Sequence, residues 1–166
     1  MKKFVRAVDA FSEFCGRWVA LLILPLVYVV LHEVIARKIF NAPTMWAFEV
    51  TVYLYGAHFM LGMGYTLLYD RHVRIDIIVL QMPARVQLWL RVITFWLIFI
   101  PFVCALSWAA INYALESWQQ WERSWSAWKP PLYPYKTVMP VALLMLLAQG
   151  VANFVRDSYK LKGEEV

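Results

Sequence analysis

Four long, predominantly apolar runs divide this sequence, at about 18–36, 47–69, 90–115 and 134–155. A helix crosses the hydrocarbon core of a bilayer with about 20 apolar residues, so every run is long enough. None alternates with the period of two that a strand requires, and a membrane barrel needs strands of about ten alternating residues. The expected fold is therefore an all-α integral membrane protein with four transmembrane helices. Only short connections remain between the runs, so residues 1–166 are expected to form a single membrane domain. Composition agrees, with 62% of residues hydrophobic and 16% charged, against about 45–50% and roughly 25% in soluble domains. That balance argues against a soluble fold or disorder, and two cysteines argue against a disulfide-stapled scaffold.

Orientation follows from Lys and Arg in the short connections. Lys2, Lys3, Arg6 and Arg17, then Arg71, Arg74, Arg85 and Arg91, then Arg156, Lys160 and Lys162 fall on one side, eleven in all. Five fall on the other: Arg37, Lys38, Arg123, Lys129 and Lys136. The asymmetry predicts cytoplasmic N- and C-termini. It assigns the formal net charge of +5 to anionic lipid at the cytoplasmic face and not to nucleic acid. Lys2, Lys3 and Arg6 imitate the start of a signal peptide, yet Asp9 and Glu13 interrupt the approach and the apolar run is too long. The first run is expected to be retained. Ahead of it, Phe4, Val8, Phe11, Cys15 and Trp18 recur at helical spacing among charges, the pattern of an interfacial N-terminal helix.

Trp118, Trp121, Trp125 and Trp128 would occupy an arc of about 80° on a helix. The expectation is a Trp-rich outer extension of helix three, stopped by Pro130 and Pro131. Such a stripe is either an aromatic belt at the headgroups or a docking face for another protein. Ala105 with Ala109, and Gly56, Gly62 and Gly64, are small residues of the kind that let helices approach closely.

Ionisable groups at membrane depth are costly and point to function, and here they are few. An Arg37–Glu49 ion pair across the first connection is one expectation, and separate solvation of the two is the other. His32 and His58 raise an alternative function, the haem- or quinone-binding membrane anchor of a respiratory complex. Their depths differ by roughly 10 Å at about 1.5 Å per residue, too much for one haem iron. His58 reads better as a hydrogen-bonding group at a helix contact. The sequence has no metal-ligand spacing, nucleophile motif or phosphate loop, so no catalytic, cofactor or metal residue is expected. Nor does it contain a repeat of the kind that builds a free-standing carrier. These residues describe a catalytically silent membrane subunit that needs a partner.

Several short motifs occur in a telling order. Arg37-Lys38-Ile39-Phe40-Asn41 is followed by Trp46-Ala47-Phe48-Glu49, then by Gly62-Met63-Gly64-Tyr65-Thr66-Leu67-Leu68 and His72-Val73-Arg74-Ile75-Asp76. Trp128-Lys129-Pro130-Pro131, Tyr133-Pro134-Tyr135-Lys136-Thr137, Pro140 and Gln149-Gly150 continue the series. Over about residues 17–157 this order resembles the four-helix small membrane subunit of tripartite ATP-independent periplasmic (TRAP) transporters. Many relatives carry two adjacent acids where this chain has Phe48-Glu49, so only Glu49 is carried over.

The resemblance implies a non-catalytic scaffold in the bacterial inner membrane that binds and braces a large, sodium-coupled elevator subunit. A periplasmic solute-binding protein delivers the solute, commonly an organic acid, to the pair. The small subunit needs no cofactor; the sodium gradient serves the partner. Candidate interface or structural residues are Arg37, Asn41, Trp46, Glu49, His58, Trp121, Trp125, Trp128, Pro130, Pro131 and Lys136. His72, Arg74 and Asp76, at the exit of helix two, are either a capping and topology cluster or a polar anchor to the large subunit.

Overall fold

The computed structural model describes residues 2–69 and 82–161. Among them every regular element is helical, apart from one isolated antiparallel bridge between Arg123 and Pro131. In chain order the elements are α1 (Lys2–Ala20), α2 (Ile23–Lys38), α3 (Ala47–Leu68), α4 (Ala84–Thr94), a π-helical segment (Phe95–Phe99), α5 (Ile100–Gln119), the single turn α6 (Tyr133–Lys136) and α7 (Val138–Leu161).

Prolines mark the irregularities. Pro25 has no N–H, and its ring crowds the carbonyl one turn earlier. The chain therefore tightens between α1 and α2, where Leu21 and Leu22 donate to the carbonyls of Trp18 (3.1 Å) and Val19 (3.0 Å). Pro101 has the same effect one turn ahead of itself, and there the helix widens into the π segment, with Ile100 N–H bonded to Phe95 O. Both junctions leave the chain helical. Three stretches are consequently long and apolar enough to cross a membrane: Lys2–Lys38, Arg85–Gln119 and Tyr133–Leu161. At 22 residues α3 is also long enough, about 33 Å. Glu49, His58, three tyrosines and three glycines dilute its apolar content.

Helix α7 is the centre. It packs against α1, α3, α4, α5 and α6, and 39% of its most apolar window is buried inside the chain, against 11% for each of the other two stretches. Val103 and Ala110 of α5 meet Leu143 and Leu146 of α7, with Met63 and Leu67 of α3 closing the cluster. At Gly150, a methyl group would overlap the ring of Phe99, so glycine lets the π segment lie directly on α7.

Helix α1 has three faces. Val5, Ser12, Gly16 and Val19 are buried against α3 and α7. Phe4, Phe11, Phe14 and Trp18 form an exposed apolar arc on a different side, and the charged residues lie between the two at about 100° per residue. The first expected span, about 18–36, is thus the later part of a longer helical stretch, Lys2–Lys38, whose earlier part is docked through small residues.

Two expectations are corrected. The third helix does not continue to Pro130 and Pro131; it stops at Gln119. Trp121 takes a left-handed φ of 48°. Its N–H bonds to Trp118 O at 3.3 Å, and Glu122 N–H bonds to Ser117 O at 3.1 Å, the paired closure of a Schellman cap. Glycine usually supplies that conformation, and no glycine stands here to announce it. The four tryptophans therefore share no helical arc. Residues 122–132 instead fold back as a hairpin, with Ser124 N–H on Pro130 O and Leu132 N–H on Glu122 O, each at 2.9 Å.

Ala105 and Ala109 are exposed, not packed within the chain. The small residues that bring α5 onto its neighbours are Ser107, Ala110, Ala114 and Ser117. Gly62 faces open space, whereas Gly56 gives room to the hydroxyl of Tyr135.

Candidate functional site

Polar groups gather at two ends of the α7 core. At the α1 end, Gln149 is fully buried. Its carbonyl accepts from Ser12 Oγ at 2.7 Å, and its amide donates to Asp9 at 3.0 Å and to Asn153 at 3.2 Å. Arg156 joins Asp9 to Asn153. Asn153 Nδ2 donates to Leu67 O at 2.9 Å, tying the end of α3 to α7. Tyr69 donates to Glu13, which Arg17 also holds at 2.7 Å. Higher up, His58 Nδ1 lies 2.9 Å from Val19 O, beside the bend after α1. A polar side chain buried this deeply is costly unless every group is paired. Gln149 meets that condition only while α1 is docked.

At the opposite, hairpin end, charges and aromatics hold a loop instead of a helix. Lys136 is buried at 8% exposure, bonded to Glu122 and stacked over Tyr113 at 3.9 Å. The Lys136 ammonium beside Glu122 holds that carboxyl below its ordinary value. Ser124 Oγ donates to the buried Glu49. Trp118 Nε1 donates to Thr137 at 2.9 Å, and the rings of Trp118 and Trp121 both pack on Tyr133. Tyr135 stacks on Tyr53 at 4.4 Å and donates to Val52 O at 3.2 Å. At the turn of this braced loop Trp125 is 98% exposed.

The first connection supplies a third feature. Arg37 bonds to Glu33 one turn back at 2.7 Å, not to Glu49. Glu33 is in turn fixed by Thr44, so the same-helix partner wins and the expected Arg37–Glu49 pair is replaced. Asn41 takes φ 51°, a left-handed turn that Asn tolerates well. Trp46 precedes α3 and packs on His32 at 5.6 Å. His32 and His58 thus have separate neighbours. Pro130 and Pro131 form the return arm of the hairpin, and Trp128 is partly exposed within it. His72, Arg74 and Asp76 lie outside the described residues. The described residues contain no group of three or more His, Cys, Asp or Glu side chains that could hold a metal.

The polar network around Gln149 was not anticipated as a site. Its signal was present as a Gln and an Asn four apart in an otherwise apolar run, and as Ser12 and Gly16 at the same spacing in α1. Residues 26–159 match the family model described as tripartite ATP-independent periplasmic transporters, DctQ component. The chain belongs to this family. A search of curated proteins finds no match. As a DctQ component the chain is the small membrane subunit of a TRAP transporter and not an enzyme. The respiratory-anchor alternative is not favoured.

Proposed function

We propose that this chain is the non-catalytic scaffold of its transporter, with four spans formed by α1–α2, α3, α4–α5 and α7. In this reading both termini face the cytoplasm and the hairpin faces the periplasm of a bacterial inner membrane. The observation that carries it is the apolar surface left outside the chain's own core. Leu97, Phe102 and Trp108 are 72%, 62% and 71% exposed along one long helix, apolar surface that lipid or another subunit covers in a bilayer. Lipid covers part of it and the large, sodium-coupled elevator subunit covers the rest. The transported solute is a small organic molecule, an organic acid in the favoured case, delivered by a periplasmic binding protein.

The rigid hairpin supports docking at the outer face, with Trp125 as its contact. His72, Arg74 and Asp76 are the proposed polar anchor to the large subunit. Co-purification tests the assembly. Tagged chain should recover the large subunit, and Asp76→Ala should reduce that recovery. A chain that inserts normally yet recovers no large polytopic protein would contradict the scaffold reading.

A further inference from the structure

A groove of about 310 Å³ lies between α2 and α3. Val30 and Val34 wall it on one side and Ala47, Phe48 and Thr51 on the other. Arg37 and Lys38 stand at its mouth, where α2 ends. The mouth also contains Glu33, but that carboxylate is already engaged. One oxygen accepts from Arg37 at 2.7 Å and 3.1 Å, and the other accepts from Thr44. Arg37 and Glu33 thereby cancel each other, and Lys38 supplies the remaining charge. The mouth therefore carries one net positive charge above apolar walls that extend about 12 Å down α2, from residue 38 to residue 30. Charge at the helix end and hydrocarbon below is the profile of a phospholipid along the membrane normal.

We propose that this groove binds one anionic glycerophospholipid, with an acyl chain between α2 and α3 and the phosphate at Arg37 and Lys38. The site lies at the end opposite the basic connections that attract lipid by bulk charge. It rests on α2 and α3 lying in a bilayer, as proposed above. A net charge of one favours an anionic headgroup over a zwitterion by roughly fivefold.

Native mass spectrometry of the full chain in detergent, with equimolar phosphatidylglycerol and phosphatidylcholine, tests it. The unaltered chain should retain phosphatidylglycerol about fivefold over phosphatidylcholine. The variant Lys38→Gln, which leaves the Arg37–Glu33 pair and no net charge, should bring the ratio to about one, and Lys38→Arg should restore it. Val34→Trp, which fills the groove, should lower retention of both lipids. If the variants do not fold, half-molar salt should still collapse the preference of the unaltered chain. Equal retention of the two lipids, or a preference untouched by salt and by charge removal, overturns the proposal. Displacement of the lipid by glycerol phosphate alone would reduce the site to a headgroup contact and overturn the acyl-chain assignment. Recovery of the large subunit with no retained lipid defeats this inference alone, whereas loss of both defeats the scaffold reading as well.

Discussion

The α1 end and the hairpin end of the molecule solve the same problem in opposite ways. Each must satisfy polar groups beside an apolar core. At the α1 end a helix is laid over them, so Gln149 and Ser12 are almost wholly enclosed and the bonds of Gln149 to Ser12 and Asp9 cross between α7 and α1. At the hairpin end a loop is tied down by Lys136–Glu122 and Ser124–Glu49 while its turn stays open, with Trp125 at 98% exposure. The first arrangement makes polar chemistry part of the fold. The second separates the fastening from the exposed residue.

Substitutions at the two ends should therefore diverge. The largest effect is expected from Gln149→Leu, which leaves Ser12 and Asp9 without their amide partner in a buried place. A stability loss of about 3 kcal/mol, seen as a lower Tm and poor recovery from the membrane, checks it. An unchanged Tm would mean that α1 is not held through this network. Next comes the cap after α5. Trp121→Val forces a β-branched residue into a left-handed φ, at a cost of about 2 kcal/mol. Trp121→Gly relieves the backbone but loses the packing on Tyr133, and should cost less than the valine. If valine proves the milder change, the cap assignment is wrong.

A pH response is expected at the hairpin end. Folding depresses the Glu122 carboxyl below its ordinary value of 4.5, chiefly through its hydrogen bond to Lys136. A depressed carboxylate stabilises the fold above that ordinary value, and the stabilisation is lost as pH falls through the folded-state value. Tryptophan fluorescence should be flat from pH 7 to about 4.5 and should change below it. In Glu122→Gln that acid-side step should be absent. The smallest effect on stability is expected from Trp125→Ser, under about 0.5 kcal/mol, together with reduced uptake by the assembled transporter. Wild-type uptake would leave Trp125 as a headgroup anchor.

The sequence revealed the helices and the membrane class because apolar runs, prolines and absent strand periodicity are local signals. It revealed the special role of Lys136 only in part. A lone cation in an apolar run demands a counter-charge, yet Glu122 lies across a hairpin that no periodicity predicts. The stop at Gln119 was hidden because tryptophan occupies the position where glycine usually marks a cap. Which small residues face inward was equally hidden. Ala105 and Ala109 share the spacing of Ser107, Ala110, Ala114 and Ser117, and only tertiary packing separates the outward pair from the inward set. Pairing of Arg37 with Glu33 instead of Glu49 was decided by Thr44, which fixes the nearer carboxylate.

The central claim is that this subunit works through its surfaces and carries no transport chemistry of its own. Solute uptake by proteoliposomes, with the large subunit and the binding protein present and this chain either included or omitted, tests that claim most directly. The account predicts uptake only when all three are present and none from this chain alone. Sodium-driven uptake by this chain without the large subunit would contradict it.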